Sequence, residues 1–190
     1  MPEQELKGII GFAGARYFPV TTNTEAAYAT GGMKMFVGAV GGSRKDNVKD
    51  YHFAGDDSTY AQGSKIDTTD IVIEVSELSL EDEAALVGSA YVTTDGGYSF
   101  SDMKAPTVAI GFATLMLNDE YRMVLYPCAK LIGIENDIKT KDPNGNLELK
   151  TQKLTFRCER RKADKNLYLK RDSKDKTFGW LNAIEQIAEG

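Results

Sequence analysis

The stretch Asp70–Gly88, DIVIEVSELSLEDEAALVG, decides the fold that we expect for this chain. A β-branched strand runs directly into a short helix, which Ser79 opens as the N-cap residue. Acidic residues in the first turn suit the positive end of a helix, and Gly88 supplies a left-handed exit. The apolar face predicted for this helix consists of Leu80, Ala84 and Val87. Because so short a helix is not stable alone in water, this face must pack on a sheet.

The rest of the chain is dominated by β patterns. Strands are predicted at Tyr17–Thr22, Met33–Val40, Asp50–Ala54, Thr107–Leu117, Tyr121–Ile134, Leu147–Glu159 and Asn166–Arg171. An apolar stripe predicts a C-terminal helix over residues 177–189. We therefore expect a mainly β protein, an antiparallel β-sandwich or barrel with one short flanking α-helix and a C-terminal helix.

Two of the predicted strands have features that indicate how they pack. Thr107–Leu117 places Ala109, Gly111 and Ala113 on one face, which lets another layer approach closely. Pro127 interrupts the following strand, so we expect an edge position or a bulge there.

Three segments look irregular in sequence. Residues 1–15 carry repeated glycines and predict a loose N-terminal arm. Residues 41–69 are polar and predict mostly loop, and loops of that length are usually functional or disordered. Asp142-Pro143-Asn144-Gly145 is a strong turn signal at a hairpin tip. We treat residues 1–190 as a single domain.

Composition restricts the class of protein. The 190 residues are 42% hydrophobic and 27% charged, which is ordinary for a globular domain with a true core. No apolar run approaches the roughly 18 residues of a membrane span. The N-terminus has acids where a signal peptide has bases, so we expect folding in a cytoplasm.

Residues able to carry chemistry are scarce. Cys128 and Cys158 are the only cysteines and His52 is the only histidine, which excludes most zinc sites and catalytic triads. The run that starts at Asp142 resembles a calcium loop, but Lys153 stands where the bidentate glutamate belongs. We predict no catalytic residue, no cofactor and no metal ion.

Charge is unevenly distributed along the chain. The segment from Asp56 to Asp102 contains eleven acidic residues and one lysine, whereas the segment from Lys139 to Lys176 contains thirteen basic residues and six acidic ones. The simplest explanation is that each segment forms a solvent-exposed face of the protein. The alternative is that the acidic segment of one copy meets the basic segment of another, which would suit head-to-tail rings or filaments.

The order of these segments resembles the major tail proteins (tail tube proteins) of long-tailed bacteriophages, of the siphophage type. The resemblance covers Arg16–Arg171 and is most specific in the strand-to-helix element followed by the APTVAIGF strand. The segments that carry it are ARYFPVTTNT, MKMFVGAV, YHFAGD, DIVIEVSELSLEDEAALVG, APTVAIGFATLMLNDEYRMVLYPCAKL and LKTQKLTFRCERR. The C-terminal helix has no place in this pattern.

The resemblance implies a structural subunit of the virion, assembled in the host cytoplasm, that forms hexameric rings stacked into a tube. Its partners would be further copies of itself and the tape measure, distal tail and tail terminator proteins, with no membrane. Genomic DNA would pass through the lumen without sequence-specific binding, past an acidic lining. The candidate inter-subunit residues are Arg44, Lys45, Asp56, Asp57, Lys141, Asn144, Arg160 and Arg161.

Two other functions stay open at this point. The inner tube protein of a contractile injection system shares the expected fold. A β-sandwich module that binds a small ligand or carbohydrate would need an aromatic platform on one open face, and the tyrosines are scattered over separate segments.

Overall fold

The structure, a computed structural model, describes residues 8–55, 58–136, 150–182 and 184, with the backbone alone at residues 52–55 and 58–62. Among the described residues the chain is mainly antiparallel β, as predicted. Its elements are β1 (Ile9–Asn23), β2 (Tyr28–Thr30), β3 (Lys34–Met35), β4 (Ala39–Gly55), β5 (Ser58–Val75), α1 (Leu80–Val87), β6 (Tyr91–Val92), β7 (Gly97–Tyr98), β8 (Val108–Met116), β9 (Tyr121–Asn136), β10 (Gln152–Glu159), β11 (Leu169–Ser173) and α2 (Gly179–Asn182).

One large sheet has the strand order β2-β1-β8-β9-β10-β5-β4, with β3 beside β1 and β11 beside β9. Strand β9 belongs to two parts of this sheet. Its first half, Tyr121–Leu125, pairs with β8 and β11, and its second half, Cys128–Asn136, pairs with β10. The sheet therefore divides into two halves that share β9, an arrangement consistent with the predicted sandwich-like class.

Pro127 lies where β9 passes from one half to the other. The β8–β9 register shifts opposite it, between Val108 and Ile110, so the predicted bulge is confirmed. The alternative edge position is wrong because β9 has neighbours on both sides. Proline has no N–H to contribute to a ladder, and its carbonyl instead accepts a hydrogen bond from the Tyr28 hydroxyl at 2.6 Å.

The main core lies on the inner faces of the two halves. Tyr17, Ile73, Ile110, Tyr126 and Phe156 are at most 1% exposed there. Leu154, Phe156 and Cys158 alternate into this core along β10, as period-2 strands require.

Helix α1 closes this core and has the predicted caps. The Ser79 side chain accepts from the Asp82 N–H, and Gly88 is left-handed with φ 81°. A Cβ at Gly88 would collide with the Lys104 carbonyl, so only glycine fits there. The predicted apolar face is wrong in one member: Leu80 is 50% exposed, and Leu86 is buried instead.

A second core covers the outer face of β1, β8 and β9. Phe18, Ala109 and Ala113 pack there against Leu181 and Ile184. The small face of β8 permits this approach, because a Cβ at Gly111 would already lie 3.2 Å from the Leu181 side chain. Of the C-terminal helix predicted over residues 177–189, α2 forms as Gly179–Asn182, and residues 183 and 185–190 lie outside the described residues.

Two predicted irregular segments are strands instead. The arm predicted over residues 1–15 is β1 from Ile9 onward, and residues 1–7 lie outside the description. Its glycines serve close packing and a bulge: Gly11 faces the Leu115 side chain, and Gly14 has φ +63° where the β1–β8 register shifts. The loop predicted over residues 41–69 is a long antiparallel hairpin of β4 and β5.

The strand predicted at Met33–Val40 is also corrected. Only β3 and the start of β4 are extended, because Gly38 with φ +68° separates them. The buried side chain is that of Phe36, whereas Met33, Met35 and Val37 are exposed. The strand predicted at Leu147–Glu159 appears as β10, which ends at the predicted Glu159, and residues 147–149 lie outside the described residues. The strand predicted at Asn166–Arg171 appears as β11, displaced toward the C-terminus.

Candidate functional site

The β4–β5 hairpin extends beyond the body of the protein. Strand β10 pairs with β5 only over Thr69–Val75, whereas β4 and β5 pair with each other out to Gly55 and Ser58. Among the described residues, nothing pairs with the distal part of either strand. From Asn47 to Gly55 the distal hairpin spans about 30 Å at the rise of an extended strand. A lone two-stranded hairpin is only marginally stable in water, so this one needs a covering surface.

The distal hairpin presents apolar side chains to solvent. Val48 and Tyr51 are each 54% exposed. Tyr51 lies opposite Gly63 in the ladder, and a Cβ at Gly63 would collide with the Tyr51 ring. The ring therefore covers the glycine of the opposite strand and leaves its other face exposed for contact.

The base of the hairpin is firmly attached to the body. Arg44 donates two hydrogen bonds to Asp46, at 2.9 and 2.6 Å, and the Thr69 hydroxyl donates to the same carboxylate. The Arg44 bond is the main reason that the pKa of Asp46 lies below its ordinary value. Arg160 donates to the Ile66 carbonyl at 2.9 Å. The hairpin thus projects from an anchored base.

The predicted inter-subunit residues fall into three groups. Arg44, Lys45 and Arg160 each lie at the base of the hairpin, where Lys45 is exposed opposite Asp70. Arg161 lies inside the protein. Asp56, Asp57, Lys141 and Asn144 lie outside the described residues.

The prediction of Arg161 as an inter-subunit residue is wrong, because its side chain is buried and cannot form a surface contact. Its side chain is 0% exposed and forms an ion pair with Asp164, with one N–H to carboxylate bond of 2.9 Å. The guanidinium also lies 4.9 Å from the centre of the Tyr28 ring. The hydrogen bond from Arg161 is the main cause that lowers the pKa of Asp164 to about 2.

The acidic and basic segments meet within one chain. Strand β5 lies beside β10, in a register that places Asp70 opposite Arg157 and Glu74 opposite Lys153. The Asp70–Arg157 pair is joined at 2.9 Å and the Glu74–Lys153 pair at 3.6 Å. These four side chains are therefore paired within the chain, and the alternative that the two segments pair between copies stays a prediction.

The two thiols are free and buried in strands β9 and β10. Burial raises the pKa of Cys128 to about 11 and the pKa of Cys158 further still. A thiol with a raised pKa is a poor nucleophile at neutral pH, because little of it is thiolate. The side chain of His52, the single histidine of the sequence, lies outside the description.

Sequence reasoning missed Val48 and Tyr51, whose only signal is that they are apolar within a polar segment.

In the part of the chain that the structure describes, no group of three or more histidine, cysteine, aspartate or glutamate side chains is placed to hold a metal ion. No described helix has the length and apolar character needed to cross a membrane. No family model and no curated protein sequence matches this chain.

Proposed function

We propose that this protein is a structural subunit, without catalysis, that self-assembles into hexameric rings stacked into the tail tube of a long-tailed phage. The tube would be the conduit for genome ejection, and the subunit would be part of the virion. The observation that carries the proposal is the projecting distal hairpin with exposed Val48 and Tyr51. A second copy offers the covering surface that such a hairpin needs.

The sequence supports the same proposal independently. The resemblance to siphophage tail tube proteins covers Arg16–Arg171 and is loosest over residues 41–69, so its support comes from the strand-to-helix element and the strands that follow it. The mainly antiparallel β architecture with a capped helix after β5 agrees with the fold that the resemblance implies. A contractile injection tube uses the same kind of contacts, and a sheath gene beside this one would favour it.

Sedimentation velocity of the purified chain tests the proposal. We expect the 20.9 kDa chain to form larger species as its concentration rises, because hairpin burial is intermolecular. A β-sandwich binding module would sediment as a monomer throughout. A monomer at every concentration, with tail-initiation partners also present, would contradict the proposal.

A further inference from the structure

Four exposed apolar side chains lie at the end of the protein where β5 passes into α1. Met33, Met35 and Val37 are 47%, 41% and 75% exposed, and Leu80, in the first turn of α1, is 50% exposed. We name these four residues the end patch. Neighbouring apolar side chains at a surface mark an interaction site, and methionine adapts well to the shape of a partner.

Two contacts join the segments that carry the end patch. Lys34 forms an ion pair with Asp82 of α1 at 2.9 Å. The Ser76 N–H donates to the Gly38 carbonyl at 2.9 Å. Residues 33–38 are therefore held against the start of α1, and the end patch is already formed in the single chain.

The end patch and the distal hairpin lie at opposite ends of β5. Ile66, which faces Val48 in the ladder, is about 30 Å from Val75 at the rise of an extended strand. The hairpin continues outward from Ile66, whereas α1 follows Val75. One copy cannot bring its hairpin to its own end patch, but two copies in line can. A head-to-tail contact of this kind leaves both surfaces available at the ends of the assembly, so that growth continues.

The face of the hairpin that carries Tyr51 is basic. Successive side chains of a strand point to opposite faces, so Tyr51 shares its face with Lys49 and with their cross-strand partners Gly63 and Lys65. Lys49 and Lys65 lie directly opposite each other, which is unfavourable for like charges. Lys49 forms an ion pair with Asp67, whereas no carboxylate of the described chain forms one with Lys65.

The end patch has the complementary charge. Glu77 and Glu81 flank Leu80 and are exposed, and neither forms an ion pair with another described residue. The one lysine beside the patch, Lys34, is already balanced by Asp82. Opposite charges on two surfaces orient their encounter and favour this pairing over others.

We propose that the end patch of one copy binds the Tyr51 face of the distal hairpin of a second copy. The Tyr51 ring packs against the apolar side chains of the patch, and the Lys65 ammonium pairs with Glu77 or Glu81. The contact then has an apolar centre and a charged rim, as protein interfaces do. This inference rests on the proposed self-assembly and names the surface of the next copy that covers the hairpin.

Two chains that each lack one of these surfaces test the proposal when they are mixed. In the first, Asn-Gly replaces residues 49–65, which removes the hairpin and keeps the end patch. The second carries Val37→Lys and Leu80→Lys, which place positive charge on the patch and keep the hairpin. We expect neither chain to assemble alone and a 1:1 complex to form in the mixture. Sedimentation velocity, at a concentration at which the native chain assembles, measures both.

A matched control adds the same two charges elsewhere. Ile10 and Leu117 are 56% and 55% exposed and do not belong to the end patch, so Ile10→Lys with Leu117→Lys should assemble as the native chain does. If Val37→Lys with Leu80→Lys also assembles, or if the mixture holds only monomers, the end patch is not the receiving surface, although the native chain still assembles. A native chain that stays monomeric would instead refute the proposed function, and this inference with it.

Charge substitutions test the rim of the contact separately. Glu77→Lys with Glu81→Lys should raise the concentration needed for assembly about tenfold, because exposed ion pairs are replaced by repulsion. Asp95→Lys with Asp102→Lys changes the net charge equally and should leave that concentration unchanged. Equal effects of the two variants would show that net charge alone matters and would contradict the assigned pairing.

Discussion

A chain in which Asn-Gly replaces residues 49–65 will fold as the native monomer does but will no longer assemble. Val48 and Ile66 face each other in the ladder, so a two-residue turn can join them. The anchored base, including Arg44 and Asp46, remains intact. Because the distal hairpin is the proposed intermolecular contact, we expect assembly to be lost completely. Sedimentation velocity measures the assembly, and circular dichroism measures the fold.

Point variants separate the hairpin from exposed apolar residues in general. Tyr51 and Phe100 are exposed to nearly the same degree, 54% and 55%, but only Tyr51 lies on the hairpin. Tyr51→Ser should raise the concentration needed for assembly, and Phe100→Ser should not. Rods or rings formed by the shortened chain would show that the hairpin is not the contact.

Asp164→Ala will destabilise the monomer by about 3–5 kcal/mol, because it leaves a buried arginine without its counter-charge. Arg161 is 0% exposed, so in the native chain its charge is balanced by this carboxylate and not by water. Urea unfolding followed by circular dichroism measures the change in the free energy of unfolding.

Two controls accompany this substitution. Glu74→Ala removes one partner of a half-exposed pair with Lys153 and should cost less than about 1 kcal/mol. Replacing both Arg161 and Asp164 with apolar residues should recover most of the stability, because no unpaired charge then stays buried. A loss for Asp164→Ala no larger than that for Glu74→Ala would contradict the assigned burial of Arg161.

The same pair makes stability dependent on acid pH. The pKa of Asp164 is lowered from 3.8 to about 2 in the folded chain. A lowered carboxylate pKa gives a stabilisation that is complete above the ordinary pKa and is lost as the pH falls through about 2. The native protein should lose this part of its free energy of unfolding as the pH falls from 3.8 to about 2. The Asp164→Ala variant should not show that loss.

The strand-to-helix element was predictable from sequence because its signals are local. Ser79, the acids after it and Gly88 each act within one turn of the chain, so their arrangement needs no knowledge of the rest of the fold. The exposed position of Leu80 was not predictable, because tertiary packing selects which side of a short helix is buried.

Only the short strand Asp50–Ala54 of the hairpin was predicted, and the rest was missed for a physical reason. A strand shows alternation only when one of its faces is buried, and the distal hairpin buries neither face within one chain. Its polar sequence therefore resembles that of a loop. The glycines of β1 were also misleading, because they mark close packing of β1 against β8 and not a flexible arm.

Arg161 was misplaced because charge in a sequence does not show where the side chain lies. The partner Asp164 follows three residues later, and the buried environment comes from Tyr28 and Cys128, which are distant in sequence. The pairing of Asp70 with Arg157 depends in the same way on the order of strands in the sheet, which the charge distribution alone does not specify.

Negative-stain electron microscopy of the concentrated full-length chain tests the central claim, that identical copies cover one another's projecting hairpins and close into a tube. The account predicts six-membered rings and hollow rods built from stacked rings. Fields of single small particles, unchanged when tail-initiation partners are added, would contradict it.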